Sequence, residues 1–150
     1  MTTPLPTGYE LSTDPERLER ARVHRWLSED TYWAAGRSRE RHERAMAGSL
    51  NFGLYVRDPA RQVAYARVVT DHATFAWLCD VYVDPGHRGK GLGTALVEAV
   101  AADLTARGLP RLVLATRDAH GVYEKAGFRP LPVPGEWLAR PLTAPDESGR

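Results

Sequence analysis

The chain has 150 residues, of which 43% are hydrophobic and 26% are charged. This length fits one domain of about 100–200 residues, and the composition is that of an ordinary globular protein, which excludes a disordered, collagen-like or disulfide-rich chain. The formal net charge of +1 argues against duplex nucleic acid or an anionic membrane as a partner.

Hydrophobic periodicity predicts the element order β-α-α-β-β-β-α-β-α-β-β. This order favours an α/β fold in which helices cover the faces of a mixed sheet. After a strand over 9–12, Asp14 and Pro15 are suited to cap and begin a helix that ends near Ser28. The elements expected next are a polar helix over 37–48, strands over 50–56, 62–70 and 75–83, a helix over 92–104, a strand over 111–116, a helix over 119–126, and short strands over 128–129 and 136–140.

Cysteine usage and hydropathy exclude further classes of protein. Cys79 is the only cysteine, which excludes an internal disulfide, and neither it nor the histidines have the spacing of a metal site. No apolar run approaches the ~18 residues of a membrane-spanning helix, and the N-terminal residues lack the order of a signal peptide. We therefore expect a cytoplasmic, metal-free, single domain over 1–140, with a flexible tail over 141–150.

The most informative segment is VYVDPGHRGKGLGTAL, residues 81–96, which predicts a strand, a glycine-dense turn and the start of a strong helix. Unpaired amides at a helix N-terminus favour an anion, and the glycines at 89, 91 and 93 permit close approach and positive φ. Arg88 and Lys90 add charge suited to a diphosphate. The alternative is a tight structural turn with solvent-facing basic residues.

Two common phosphate loops do not fit this segment. A Walker A loop requires lysine where Leu92 stands. A dinucleotide fingerprint requires a third glycine where Thr94 stands, and an earlier place in the chain.

A different pattern does fit. Residues 88–93 read Arg-x-x-Gly-x-Gly, preceded by Val-x-Val-x-Pro, and residues 122–128 read VYEKAGF. On these two motifs the chain resembles the GCN5-related N-acetyltransferase (GNAT) superfamily, and it is similar to small bacterial members of it. The resemblance covers about residues 50–130 and implies the GNAT-like fold, with a central pair of parallel strands that splay apart.

This resemblance implies acetyl-CoA as the acyl donor, held between the strands over 75–83 and 111–116. Thr116 stands where the family often has Asn, which leaves that contact open. The residues implied to bind acetyl-CoA are Val81, Tyr82, Val83, Arg88, Gly89, Lys90, Gly91, Leu92, Gly93, Thr94 and Thr116.

The resemblance also implies that Tyr123 is the general acid that protonates the departing thiolate; the alternative is a core aromatic. Asp80 is the candidate base or amine-binding group, because a charge within the apolar run WLCDVYV is costly unless it is paired or functional. Its alternatives are a hydrogen bond to a neighbouring loop or a salt bridge to Arg67. His120 and Asp118 are weaker candidates for the base, and a water chain without a dedicated base is a further one.

Strand alternation predicts that Asp80 shares a face with Leu78 and Tyr82, opposite Cys79 and Val81.

The acceptor is expected to meet the first two helices and the loop between them. Tyr32 and Trp33 are the candidate substrate-binding residues, together with the group Arg37, Arg39 and Glu40. The alternative is that the aromatic side chains cap the core and the charges form a solvated helix face.

The sequence thus predicts an acetyl-CoA-dependent N-acetyltransferase that acts by direct transfer in a ternary complex. Its expected partner is a small-molecule or peptide amine, and a homodimer through a sheet edge is compatible with the fold. The alternatives are a non-catalytic acyl-CoA-binding or sensing module and a generic nucleotide or phosphate binder.

Overall fold

A computed structural model describes residues 4–143. The strands in this part of the chain are β1 (Tyr9–Ser12), β2 (Leu50–Arg57), β3 (Ala60–Thr70), β4 (Ala76–Val83) and β5 (Leu112–Val113). The helices are α1 (Arg20–Asp30), α2 (Arg39–Ala47), α3 (Leu92–Ala106) and α4 (His120–Lys125). Asp14 caps a short 3₁₀ turn over Pro15–Arg17, so α1 begins later than the sequence predicts.

The five strands form one sheet in the order β1-β2-β3-β4-β5, antiparallel as far as β4. The last pair is parallel and short, because only Ala76 with Leu112 and Trp77 with Val113 are paired. Beyond Trp77, β4 remains paired with β3, but within the described residues it has no partner on its other side, because the chain after Val113 diverges from it. The mixed α/β fold is confirmed, and within the described residues the splayed parallel pair lies at the end of this sheet rather than at its centre.

Helices cover both faces of the sheet. On one face, α3 buries a continuous apolar stripe against β2, β3 and β4, with Leu96 and Val100 fully buried. On the other face, α1 and α2 bury Leu27 and Met46 against Tyr65 of β3 and other aromatic side chains. A residue on β4 therefore faces either the α3 layer or the α1–α2 layer.

A bulge in β4 decides which layer each residue faces. Tyr65 pairs with Tyr82 and Arg67 with Cys79, so two residues of β4 stand opposite one residue of β3. The extra residue is accommodated at Asp80, whose φ is +52°. As a result Leu78 packs in the α3 layer while Tyr82 packs in the α1–α2 layer, and the prediction from alternation that they share a face is wrong.

The two short strands predicted after α4 are not formed. The amide of Phe128 donates to the Tyr123 carbonyl at 3.0 Å, which closes α4 behind Gly127 instead of joining a sheet. The prolines at 130, 132 and 134 remove further backbone donors, and Pro134–Glu136 forms a 3₁₀ turn. Residues 141–143 have no helix or strand, and the rest of the predicted tail, 144–150, lies outside the described residues.

Candidate active site

The divergence of β4 and β5 opens a cavity of about 700 Å³. Its walls come from β4, the turn before α3, the first turn of α3, the β5–α4 connection, α4 and the loop after α1. The residues predicted from the sequence that line it are Tyr32, Trp33, Asp80, Val81, Tyr82, Val83, Arg88, Gly89, Gly91, Leu92, Gly93, Thr94, Thr116, Asp118 and Tyr123. Of the residues expected to bind acetyl-CoA, Lys90 does not line it: Lys90 is exposed, and its Nζ lies 3.4 Å from the Tyr9 hydroxyl. The candidate base His120 does not line it either.

The floor of the cavity is a strand edge. Within the described residues, β4 has no strand partner beyond Trp77 on its β5 side. Val81, Tyr82 and Val83 line the cavity along this edge, where an extended ligand can add as a further strand. The Val83 carbonyl accepts a hydrogen bond from Arg88 Nε at 2.9 Å, which leaves it one further lone pair.

Residues 88–94, which we call the glycine turn, line the cavity with the exception of Lys90. Gly89 and Gly91 have φ of +80° and +76°, whereas Gly93 lies in the helical first turn of α3 without a positive φ, contrary to expectation. The first hydrogen bond of α3 runs from the Ala95 amide to the Gly91 carbonyl at 3.1 Å. The amides that precede Ala95 consequently have no acceptor within the helix, and they point a positive dipole end at the cavity.

Arg88 is tied to the protein by three contacts. Besides the Val83 carbonyl, its guanidinium lies over the Tyr82 ring at 5.1 Å and 3.6 Å from Asp30. Half of its side chain remains exposed, so it keeps a charge at the mouth of the turn.

Tyr123 projects from α4 into the same cavity. Its ring meets Phe128 edge-on at 5.8 Å, and no described residue hydrogen-bonds its hydroxyl. Burial, with added repulsion from Tyr32 and Asp118, raises the pKa of Tyr123 to about 12. The phenol of this lining residue is therefore protonated at neutral pH and able to donate a hydrogen bond.

Thr116 lies at the start of the β5–α4 connection. Its hydroxyl oxygen accepts from the Ala119 amide at 3.1 Å, so its proton is still available to a ligand.

Asp80 is the centre of a buried group that we call the Asp80 cluster, formed with Trp33, Arg37 and Arg67. Arg37 donates to both carboxylate oxygens at 2.7 and 3.2 Å, Arg67 Nε donates at 2.8 Å, and Trp33 Nε1 donates at 3.1 Å. Burial raises the pKa of Asp80, but the hydrogen bond from Arg37 and the charges of Arg67 and Arg37 outweigh it and hold the pKa below the usual range.

These contacts fill the roughly four acceptor positions of one carboxylate. Asp80 is 3% exposed, which leaves no room for an amine to approach it. The geometry favours the alternative offered for Asp80, the ion pair with Arg67, and it adds Arg37, which nothing in the sequence pattern connects to Asp80.

The loop after α1 supplies the aromatic wall of the cavity. Tyr32 and Trp33 meet edge-on at 5.0 Å. The Tyr32 hydroxyl accepts from the Arg117 amide at 2.9 Å, and the Arg117 guanidinium lies 3.9 Å above the Tyr32 ring, so this wall is joined to the β5–α4 connection.

The charged residues expected beside these aromatics do not line the cavity. Arg37 is buried against Asp80. Arg39 pairs with Glu43 at 2.8 Å on the outer face of α2, and Glu40 is exposed.

Several lining residues were not found from the sequence. Asp30 and Trp77 belong to neither motif, and only the tertiary structure brings them to the cavity, whereas His87 lies within the segment over 81–96 but was given no role. No group of three or more His, Cys, Asp or Glu side chains within 4–143 is arranged to hold a metal ion. In the same range no helix is both long and apolar enough to cross a bilayer.

Residues 20–128 match the model of the acetyltransferase (GNAT) family, so the chain belongs to this family. A crystal structure assigned to the same family, from Xanthomonas campestris pv. campestris, is 46% identical, covers 89% of this chain and 93% of its own, and superposes with a TM-score of 0.81.

Among relatives of named activity is the [ribosomal protein bS18]-alanine N-acetyltransferase of Escherichia coli. It is 34% identical over 131 residues, which are 85% of this chain and 76% of the relative. The crystal structure of the ribosomal-protein-S18-alanine N-acetyltransferase from Escherichia coli has a TM-score of 0.63 at 26% identity and covers 81% of this chain and 77% of its own. Family and relatives together support acetyltransferase activity.

Proposed function

We propose that the protein is an acetyl-CoA-dependent N-acetyltransferase that acetylates a primary amine by direct attack within a ternary complex. The observation that carries the proposal is the convergence of three features on one cavity: the open edge of β4, the unpaired amides of the glycine turn and the Tyr123 hydroxyl. An extended pantetheine arm suits the strand edge, a pyrophosphate suits the turn, and a protonated phenol suits a departing thiolate.

In the proposed reaction the amine nitrogen bonds to the acetyl carbon and the carbon–sulfur bond breaks. Tyr123 donates its phenolic proton toward the sulfur, and a proton leaving the amine nitrogen restores the phenol. Since the pKa of Tyr123 is raised to about 12, the hydroxyl stays protonated at neutral pH and stabilises the forming thiolate as a hydrogen-bond donor.

Direct attack is favoured over a covalent acyl-enzyme by the state of Cys79. The thiol lines the cavity, but burial raises its pKa to about 11. The thiolate is the nucleophilic form of cysteine, and this pKa leaves very little of it at neutral pH.

We assign Asp80 a positioning role. Through Trp33 and Arg37 it fixes the loop that carries Tyr32, and through Arg67 it fixes β3 beside the cavity. The acceptor is proposed to be a small-molecule or peptide amine. Because the Escherichia coli relative is named for N-acetylation of an alanine of ribosomal protein bS18, peptides that offer an alanine amine belong in the first screen.

Titration calorimetry with acetyl-CoA, CoA, ATP and NAD tests the donor. We expect binding of acetyl-CoA and CoA and none of ATP or NAD; absence of both CoA species would overturn the proposal. A nucleotide or phosphate binder would instead prefer ATP or NAD.

An amine screen read by thiol release then tests turnover. Tyr123→Phe should lower kcat by about 10²-fold with acetyl-CoA affinity retained, because only the transition state uses the hydroxyl. Tyr55→Phe is the matched control, since its buried hydroxyl has no partner among the described residues. Binding of acetyl-CoA without turnover of any amine would favour the sensing module.

A further inference from the structure

Within residues 4–143, three carboxylates line the cavity, those of Asp30, Asp80 and Asp118, and the first two are engaged in contacts within the protein. Asp80 accepts four hydrogen bonds within the Asp80 cluster. Asp30 accepts from the Tyr82 hydroxyl at 2.5 Å and lies 3.6 Å from Arg88. Asp118 is exposed, and within the described residues its carboxylate has neither a hydrogen bond nor an ion pair.

The backbone that carries Asp118 is held on both sides. The Arg117 amide donates to the Tyr32 hydroxyl, and the Ala119 amide donates to Thr116 Oγ1. Asp118 thus stands between two fixed positions in the cavity wall, with a side chain that these contacts leave free.

Asp118 is also on the Tyr123 side of the cavity. It precedes α4 by two residues and is one of the groups whose charge raises the pKa of Tyr123. His87, the histidine among the described residues of the cavity wall, belongs to the turn before α3, and its Nδ1 is hydrogen-bonded to the Tyr9 hydroxyl at 2.8 Å.

Resting on the proposed function, we propose that Asp118 is the acceptor-amine residue: its carboxylate binds the incoming ammonium and takes its proton. A primary amine of pKa about 8–10 arrives protonated at neutral pH and must lose one proton before it attacks. That proton passes to Asp118 and on to solvent. The second proton, lost as the carbon–nitrogen bond forms and the carbon–sulfur bond breaks, restores Tyr123.

A pair of CoA thioethers tests this without a known acceptor. S-(2-aminoethyl)-CoA places an ammonium two methylene groups from the sulfur, close to where the acceptor nitrogen would stand, and S-propyl-CoA places a methyl group at the same position. The protein should bind the ammonium analogue about fivefold more tightly, the scale of an ion pair close to solvent.

In Asp118→Asn this preference should fall to about one, with the affinity for S-propyl-CoA unchanged. Asp118→Glu should retain part of it. Glu29→Gln, which removes an exposed carboxylate outside the cavity, should retain all of it. A purely structural role for Asp118 would weaken both analogues alike.

If the preference for the ammonium analogue persists in Asp118→Asn, or is absent from the unaltered protein, the inference about Asp118 is overturned while the proposed function stands. Failure of both analogues and of CoA to bind would overturn the proposed function and this inference with it.

Discussion

The glycine turn and the Asp80 cluster lie on the same cavity and treat their polar groups in opposite ways. The turn leaves backbone amides without acceptors at the start of α3. The cluster satisfies every oxygen of its carboxylate with protein donors. Backbone amides without acceptors suit a ligand that supplies acceptor atoms, whereas buried charges must be paired within the protein.

This difference predicts that mutations in the two regions have different effects. Changes in the glycine turn should act mainly on ligand binding and on local backbone strain. Changes in or beside the Asp80 cluster should act mainly on folding, because an unpaired charge would be left in the interior.

The largest effect is expected from Asp80→Asn. It leaves the guanidiniums of Arg37 and Arg67 buried without a counter-charge, so the free energy of unfolding at pH 7 should fall by about 3–5 kcal/mol, measured by urea denaturation. Asp103→Asn is the control, since the Asp103–Arg107 pair lies near solvent and is worth about 1 kcal/mol or less. Equal losses in the two variants would contradict the contrast between the cluster and a surface pair.

The next effect concerns His42, which is fully buried beside the cluster on α2 with no partner for either ring nitrogen among the described residues. Burial, with the charges of His24 and Arg37, lowers the pKa of His42 to about 4. The unfolded chain takes up this proton near pH 6.5 and the folded protein only near pH 4, so stability should fall as the pH drops through that window.

Between pH 7 and 4.5 we expect His42 to account for a loss of about 2–3 kcal/mol in the free energy of unfolding. His42→Leu should remove that part of the pH dependence, whereas His72→Asn, at an exposed turn, should leave it intact. Asp80 does not act in this window: its pKa is depressed, so its contribution is complete above about pH 4 and is lost only below it. An unchanged slope in His42→Leu would rule out this assignment.

The smallest effect is expected in the glycine turn. Gly91→Ala meets no atom within 4 Å, so its cost is the strain of a φ near +76°, about 1–2 kcal/mol. Gly121→Ala in α4 is the control without positive φ or steric contact, and it should be neutral or stabilising. CoA affinity should also weaken in Gly91→Ala but not in a variant of comparable stability loss elsewhere; retained affinity would argue against the turn as the pyrophosphate site.

Local patterns were sufficient for much of the fold. The apolar stripe of α3, the alternation in β2 and β3, and the glycine turn were all predicted near their observed positions, because each depends on residues close together in sequence. The prediction of two C-terminal strands was wrong, because prolines interrupt the apolar residues there and the amide of Phe128 ends α4.

The same distinction between local sequence and tertiary structure applies to the residues of the site. The glycine turn and Tyr123 belong to short motifs whose local geometry follows from glycine conformation and helix ends, and the sequence determined them. Only the tertiary structure decided that a bulge at Asp80 separates its face from that of Leu78, and that Arg37 neutralises Asp80 from 43 residues away. It also decided that Asp118 is the carboxylate left free among the described residues that line the cavity. The reason is physical: which charges become paired depends on distances across the fold, and spacing along the chain does not contain those distances.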